Sequence, residues 1–285
     1  MLKRLFSKQE PRCRHRHTEK THPKCFLDGK PIEAKGFPKI LLFDIETAPI
    51  EALVWGLKQD YINPSNVVND WFMLSWSARW LFADETFGDV LNSREAVTKN
   101  DYRIVKSLSE LFEEADVVIG HNILGFDIPK LNTRLLYHNI QPPMYYQTVD
   151  TLRVARANFR ITSNTLDYIC SFLGLPGKEK VGLDVWKGCL RGDKASLRAL
   201  LHYNKVDTLI LEEVYVKLLP WIKNHPNVNL FSETDSVVCK NCGCSVLEMS
   251  DKTYKTSVSE YQAFRCSKCK APGRFNKAIK KARKQ

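Results

Sequence analysis

The run Lys39-Ile-Leu-Leu-Phe-Asp-Ile-Glu constrains the fold more than any other part of this chain. A continuous apolar stretch of this length is typical of a central strand that is buried on both faces. The run ends in two acids, Asp44 and Glu46, and α/β sheets gather their functional side chains at the carboxyl ends of such strands. The run therefore predicts an α/β domain with a polar site at one edge of its sheet.

Other segments complete the prediction of a mixed five-stranded sheet flanked by helices. Further strands are expected at residues 71–81, 86–91, 117–120 and 146–149, and helices at residues 102–115, 128–138, 164–173 and 194–221. Two early strands joined by a short connection, followed by strands that alternate with helices, indicate a sheet that is antiparallel at first and parallel later.

Charge and cysteine content divide the chain into four parts. We expect a basic N-terminal arm over 1–38, a globular domain over 39–224, a linker over 225–236, and a Cys-rich module with a basic tail over 237–285. Residues 1–38 hold ten Lys/Arg against four acids, and 232–285 hold twelve against five. Basic flanks around an acidic centre suit a protein that brings carboxylates to a polyanion. Basic tails that only aid solubility are the alternative.

The chain lacks the signals of a membrane or secreted protein. None of its apolar stretches approaches the roughly 20 residues of a membrane span, and its first residues have no apolar core of signal-peptide length. We therefore expect a cytoplasmic protein, in the host cytoplasm if the source is viral, that does not bind membranes.

Two acidic motifs lie in the first half of the globular domain. Asp44 and Glu46 are two residues apart on a strand, so both side chains point to one face and can hold Mg²⁺ or Mn²⁺. Asp127 lies where a helix starts, and a favourable interaction with the helix N-terminus is its simplest explanation. Capping does not explain the nearby Asn122 and Phe126. An amide and an aromatic ring suit contacts with a sugar, a phosphate or a base.

A third motif lies inside the long helix predicted over 194–221. Tyr203 and Asp207 are four residues apart, which puts them on one face of the helix, one turn apart. In isolation, a tyrosine at the rim of the core beside a solvated aspartate would be the better explanation. The order of the three motifs reverses that judgement.

Taken in order, on a strand, a helix start and a helix, the three motifs resemble those of the DEDD superfamily of 3'-5' exonucleases, which has a ribonuclease H-like fold. The tyrosine is typical of the DEDDy subclass, which includes the proofreading domains of family B DNA polymerases and ribonuclease D. The resemblance covers about residues 38–221. All four metal-binding acids of the family have counterparts here.

The resemblance implies two Mg²⁺ or Mn²⁺ ions and 3'-5' hydrolysis, with DNA favoured over RNA. Asp44, Glu46 and Asp207 would bind the ion that activates water, and Asp127 would support a second ion beside Asp44. Tyr203 would position the water, because a phenol with a pKa of about 10 is poorly suited as a general base. The expected partners are a single-stranded 3' end of nucleic acid and proteins of replication or repair.

Two other polar residues near these motifs have simpler explanations. Asp150 follows a predicted strand and precedes a helix, so we interpret it as a helix N-cap. His121 is expected to help shape the site.

The C-terminal cysteines have the spacing of a zinc site. Cys239 and Cys242 form one CxxC pair, and Cys266 and Cys269 form another after 23 intervening residues. Four thiolates in this arrangement suit tetrahedral Zn²⁺ in a zinc ribbon, with Cys244 as an alternative ligand to Cys242. A module this small needs its metal to fold. Its basic and aromatic residues suit a nucleic-acid contact, and a protein partner is the rival.

The N-terminal arm contains a second group of possible zinc ligands. Cys13, His17, His22 and Cys25 are the candidates, together with His15, and their spacing does not settle the choice among the histidines. A solvated basic arm whose histidines touch phosphate is the alternative.

Two other functions remain open for the globular domain. A ribonuclease H-like endonuclease or resolvase also uses clustered acids and two metals, but it does not predict the motifs around Asp127 and Tyr203. A non-catalytic nucleic-acid-binding module would be expected to have lost at least one metal ligand.

Overall fold

The computed structural model of the chain describes residues 26–27, 30–31, 37–177, 181–231 and 236–282. The zinc ligands predicted in the N-terminal arm, Cys13, His17, His22 and Cys25, lie outside the described residues. Within that arm, β1 (Phe26–Leu27) pairs antiparallel with β2 (Lys30–Pro31).

The central domain alternates strands and helices. Its strands are β3 (Ile40–Thr47), β4 (Glu51–Ala52), β5 (Val67–Asn69), β6 (Met73–Trp80), β7 (Phe87–Val90), β8 (Val117–Gly120) and β9 (Gln147–Asp150). Its helices are α1 (Ser93–Thr98), α2 (Tyr102–Glu114), α3 (Asp127–Tyr137), α4 (Thr151–Asn158), α5 (Leu166–Phe172), α6 (Leu183–Leu190) and α7 (Lys194–Leu218). All five predicted strands and all four predicted helices are present.

Five of these strands form one mixed sheet in the order β7-β6-β3-β8-β9. β3 pairs antiparallel with β6, which pairs antiparallel with β7, whereas β8 is parallel to both β3 and β9. The prediction of a mixed five-stranded sheet flanked by helices is therefore confirmed. β3 lies at its centre, as its continuous apolar run indicated.

Alternate side chains of β3 enter the two layers on either side of the sheet. Leu41 and Phe43 pack in the layer that contains Phe112 of α2. Ile40 and Leu42 pack in the other layer, with Val214 and Tyr215 of α7. Side chains along a strand alternate between faces, so the next two even-numbered residues, Asp44 and Glu46, point to the face where α7 lies.

The connection between β3 and β6 projects from the domain. It contains the small antiparallel pair of β4 and β5, and the loop between these strands exposes large apolar side chains. Trp55 and Leu57 are exposed to the extent of 104% and 103%. The sequence pattern does not indicate β4 and β5, because these strands are only two and three residues long.

The C-terminal module is an antiparallel sheet of three strands. They are β10 (Leu247–Lys255), β11 (Ser259–Cys266) and β12 (Pro272–Lys281), paired in that order. The four cysteines of the two CxxC pairs lie together at one end of this sheet, an arrangement compatible with a zinc ribbon.

The module packs directly on the end of the central domain. The Asn241 side chain is buried and donates to the backbone oxygens of Leu219 and Ile222 at 2.9 and 3.2 Å. Cys242 and Cys269 pack against the core layer that contains Tyr215.

The boundary between the two units stays a prediction, as does the interpretation of residues 225–236 as a linker. Within that stretch His225 and Val228 are buried, and the Val228 backbone N–H donates to Lys240. Among the residues that the structure describes, no helix is long and apolar enough to cross a membrane.

Candidate active site

Three carboxylates meet where β3 lies against α7. Asp44, Glu46 and Asp207 each offer an oxygen, and these oxygens all lie within 4.8 Å of one another. Asp207 is buried, whereas Asp44 and Glu46 are half-buried. Carboxylate oxygens are the ligands that Mg²⁺ and Mn²⁺ prefer, so the chemistry of this donor set fits a divalent cation.

The orientation of Asp44 depends on a residue that the sequence analysis missed. Asn204 is fully buried on α7, and its Nδ2 donates to Asp44 Oδ2 at 2.5 Å. Its Oδ1 accepts from the Ser75 hydroxyl at 3.1 Å. Ser77 donates to the Asn204 backbone oxygen at 2.6 Å and also contacts Thr208. This network connects Asp44 to α7 and β6.

The sequence holds one signal for Asn204. It follows Tyr203 directly and lies three residues before Asp207, so it is on the same side of α7 as Asp207. Only the structure shows that this amide is buried and that it points towards Asp44.

Asp127 contacts the β3 backbone between Asp44 and Glu46 but lies outside the group of three. It is 3% exposed at the start of α3, and its Oδ1 accepts from the Ile45 backbone N–H at 3.3 Å. Burial raises its pKa to about 7, which the nearby Asp150 carboxylate also favours, while the hydrogen bond from Ile45 opposes the shift. Asp127 therefore changes protonation state near neutral pH when no metal is bound.

Tyr203 is positioned by an aromatic contact. It lies one turn before Asp207 on α7, and its ring packs edge-on against Trp186 of α6 with centroids 6.2 Å apart. The contact with Trp186 restricts the orientation of the Tyr203 side chain. The sequence pattern does not single out α6, which has only eight residues.

The loop before α3 is held by a second carboxylate. Asp150 accepts from Leu152 N and Arg153 N, so its prediction as the N-cap of α4 is confirmed. It also accepts from the backbone N–H groups of Asn122 and Leu124, at 3.0 and 3.3 Å. One buried carboxylate therefore caps a helix and fixes the neighbouring loop.

The predicted substrate-binding residues lie on the outside of this loop. Asn122 is exposed and adopts a left-handed conformation with φ of 70°, and Phe126 is 39% exposed. His121 lies beneath them, where its Nδ1 and Nε2 contact Thr151 Oγ1 at 2.9 Å and the Asn164 backbone oxygen at 2.8 Å. His121 thus shapes the loop by connecting it to two other segments.

An apolar pocket begins at the end of β3, at the residue that follows Glu46. It has a volume of about 550 Å³ and is lined by Thr47, Ala48, Pro49, Ile50, Trp71, Lys130, Leu183 and Trp186. Lys130 is the only charged residue among the described residues that line it, and its Nζ lies 3.7 Å from the centroid of the Trp71 ring and 4.9 Å from that of Phe126. Trp186 connects the pocket to Tyr203.

The sulfur atoms of the C-terminal cysteines form a second group of possible ligands. Those of Cys239, Cys242, Cys266 and Cys269 all lie within 4.8 Å of one another. Hydrogen bonds from Cys242 and Cys269 hold the pKa of the Cys239 thiol below its usual range, whereas the same contacts raise the pKa values of Cys242 and Cys269. Cys244 is outside this group and contacts the Ser267 hydroxyl at 3.6 Å. The residues present fit a tetrahedral zinc ion.

The central domain has a ribonuclease H-like fold, defined by its five-stranded mixed sheet and flanking helices. A family model described as the RNase_H superfamily matches residues 80–219. This range includes Asp127, Tyr203 and Asp207 but starts after β3, so Asp44 and Glu46 lie outside it.

Among solved structures, the chain is similar to a family B DNA polymerase from the hyperthermophilic archaeon Pyrobaculum calidifontis. The two share 16% sequence identity with a TM-score of 0.49, over 83% of this chain and 32% of the polymerase. The chain thus spans about a third of the length of that protein. A search of curated proteins finds no match.

Proposed function

We propose that this chain is a metal-dependent exonuclease that hydrolyses phosphodiester bonds from the 3' end of nucleic acid, with DNA favoured. The observation that carries the proposal is the meeting of Asp44, Glu46 and Asp207 oxygens within 4.8 Å of one another. Three acids so close repel one another unless a cation neutralises them, which makes their proximity costly without a metal. A divalent cation, in turn, requires a set of oxygen ligands such as this one.

The acids would hold two Mg²⁺ or Mn²⁺ ions. Asp44, Glu46 and Asp207 would hold one, and Asp127 would support a second beside Asp44. When bound, such ions supply Lewis acidity, which lowers the pKa of water and stabilises the charge on the attacking and leaving oxygens. Asn204 would keep the Asp44 carboxylate in one orientation through its hydrogen bond.

Tyr203 would orient the attacking water rather than take its proton, since phenols ionise well above neutral pH. Its contact with Trp186 restricts the ring and so reduces the entropy that positioning costs. The 3'-5' direction of the proposal depends on the resemblance of this tyrosine motif to the DEDDy exonucleases.

The apolar pocket at the end of β3 would receive the terminal nucleotide. Trp71 and Trp186 offer aromatic surface to a base, and Lys130 offers a positive charge to a phosphate. Burial lowers the pKa of Lys130, while Asp70 and Asp127 oppose that shift. Phe126 at the rim would stack on the neighbouring base.

The direct test measures the hydrolysis of labelled nucleic acids with added Mg²⁺ or Mn²⁺. We expect single-stranded DNA with a 5' label to shorten stepwise from its 3' end. The comparison substrates are DNA duplexes with 3' overhangs, RNA and DNA circles. The variants Asp44→Asn and Asp207→Asn should lose activity at least 100-fold, on the order of the loss of other groups that stabilise charge in the transition state. Glu110→Gln, an exposed acid on α2 across the sheet from α7, is the matched control.

Other results of this assay would contradict the proposed function or favour one of its alternatives. Full metal-dependent hydrolysis by both aspartate variants would overturn the assignment of the site. Cleavage of DNA circles would favour the endonuclease alternative. Binding of the substrates without any hydrolysis would favour a non-catalytic module.

A further inference from the structure

The three-stranded sheet of the C-terminal module carries a strong positive charge. Residues 236–282 contain ten Lys/Arg and three Asp/Glu. One of these acids, Glu260, lies 3.7 Å from Lys255, and its pKa is lowered first by a hydrogen bond from Thr253 and then by Lys255 and Lys280. Most of the basic side chains therefore have no acidic partner within the module to neutralise them.

An aromatic cluster lies on one face of this sheet. Tyr254 of β10 and Tyr261 of β11 are directly opposite in the strand register. The guanidinium of Arg274 on β12 lies 3.8 Å from the centroid of the Tyr261 ring and 5.4 Å from that of Tyr254. Tyr254 is 51% exposed and Arg274 is exposed.

The cluster is not the core of the module. That core contains Phe264, which is 6% exposed and packs edge-on against Phe275 at 5.1 Å. The pairing register shifts at several points where β10 or β12 contains extra residues, whereas β11 contains none. Side chains along β11 therefore alternate regularly between the two faces of the sheet. Tyr261 and Phe264 are three residues apart on β11 and therefore point to opposite faces. The tyrosines and Arg274 occupy the other face, away from the packed phenylalanines.

We infer that this face, defined by Tyr254, Tyr261 and Arg274, binds single-stranded nucleic acid. The exposed ring of Tyr254, the half-buried ring of Tyr261 and the guanidinium plane of Arg274 provide surfaces on which unpaired bases stack, whichever base is present. Arg265 of β11 and Lys281, which is opposite Ser259, lie on this face by the strand register and would contact phosphates. Paired bases hide their faces in the duplex, so the aromatic cluster favours a single strand over a duplex. An acidic protein is the alternative occupant.

The inference rests on the proposed function in one respect, which is that the substrate is a nucleic acid. It adds a second place at which the strand is held. The module is anchored at Leu219 and Ile222, just after the end of α7. Asp207 lies eleven residues before the last residue of this helix, which corresponds to about 17 Å along the helix axis. The proposed holding face and the carboxylate site are therefore attached to the same rigid element.

The test compares the binding of short and long single strands. The probes are fluorescently labelled oligothymidylates of four and twenty nucleotides, measured by fluorescence anisotropy with the full-length, zinc-loaded protein. An Asp44→Asn background prevents hydrolysis during the measurement. We expect the longer strand to bind more tightly, because only the longer strand reaches both places.

The decisive variant is Tyr254→Ala with Tyr261→Ala. We expect it to weaken binding of the twenty-nucleotide strand by roughly five- to 150-fold, the effect of losing one stacked base. The preference for the longer strand should largely disappear with it. Tyr254→Phe with Tyr261→Phe retains the rings and should bind as the parent protein does. Tyr145→Ala removes a tyrosine that is 86% exposed in the central domain and serves as the matched control.

The zinc content and circular dichroism of each variant establish that its module is folded. Equal binding of the long strand by the parent and the folded double-alanine variant would overturn the inference, even if the protein hydrolyses DNA. A parent protein that binds neither strand would also overturn it and favour an acidic protein partner. Loss of binding in the double variant, with no hydrolysis by the wild type, would support this face and count against the exonuclease.

Discussion

The carboxylate of Asp44 is held by a side chain that has no contact with solvent. Asn204 donates to Asp44 with one end of its amide and accepts from Ser75 with the other, so the amide cannot rotate without breaking both hydrogen bonds. Residues of this kind fix a ligand in the orientation that the metal requires. A motif search based on charge does not find them, because the side chain is neutral.

Replacing this amide should impair activity more than folding. We expect Asn204→Leu to lower metal-dependent hydrolysis by about 10- to 100-fold, the usual effect of losing a group that orients a metal ligand. Steady-state hydrolysis across a series of Mn²⁺ concentrations would measure it. Asn158→Leu, at an amide that bonds within α4, is the control. An unchanged rate and metal dependence in Asn204→Leu would exclude the orienting role.

Asp127 should make stability depend on pH when no divalent cation is added. Burial raises its pKa to about 7 in the folded protein, whereas an unfolded aspartate titrates near about 3.9. The folded protein therefore binds more protons than the unfolded chain between these values, so the free energy of unfolding falls as the pH rises from about 4 to 7.

Urea unfolding of the wild type and Asp127→Asn at several pH values from 5 to 8 would measure this contribution. The difference in free energy of unfolding between the two proteins isolates the contribution of Asp127. Other groups with shifted pKa values, such as Glu212, whose pKa is raised by burial, contribute equally to both proteins. We expect the wild type to lose stability relative to Asp127→Asn as the pH rises. A difference that does not vary with pH would contradict the prediction.

At the scale of elements, the long or strongly patterned segments were predictable and the short ones were not. The apolar run of β3 and the periodicity of α7 each contain enough residues to define a period. The helices α1, α4 and α6, of six to eight residues, were not predicted, whereas α5, with seven, was, because Leu166, Ile169 and Leu173 are spaced at helical intervals. Trp186 on α6 therefore went unnoticed beside Tyr203, although the motif containing Tyr203 was identified.

The packing at the end of β8 leaves no space for a side chain at Gly120. A methyl group added at Gly120 would lie 2.0 Å from Ile123 Cγ2 and 3.2 Å from the Phe43 backbone oxygen. We expect Gly120→Ala to lower the free energy of unfolding by about 1–3 kcal/mol, since an overpacked site must shift its neighbours. Gly177→Ala, where nothing lies within 4 Å, is the control. Chemical denaturation of both variants would check the prediction.

At the scale of the whole molecule, the cysteine module is part of the packing of the central domain. Cys242 and Cys269 contact the layer that contains the fully buried Tyr215, whose hydroxyl lies 2.7 Å from His225 Nε2. The spacing of the cysteines predicted a metal site, but it could not predict where the module would pack. That information lies in long-range contacts such as those of Asn241.

Loss of the metal should therefore destabilise more than the module. We expect Cys239→Ser to expose residues 236–282 to protease and to lower the thermal midpoint of the whole chain. The fall should be at least about 4 °C, which corresponds to about 1–2 kcal/mol in a domain of this size. Cys244→Ser, outside the group of four ligands, should leave the midpoint unchanged. An unchanged midpoint in a Cys239→Ser protein that has lost its zinc would show that the two units fold independently.

The helix α7 also has a consequence for the products. It carries Asp207 near its middle and the contact with Asn241 just beyond its end, so its length sets the spacing between the proposed site of hydrolysis and the anchor of the module that carries the proposed holding face. The length of the helix would thus determine the shortest strand that reaches both places at once. A strand too short to reach from one place to the other would be held only by its end, and digestion should slow abruptly at that size. Short oligonucleotides of a uniform length would then accumulate, and their size on a sequencing gel would report the length of the helix.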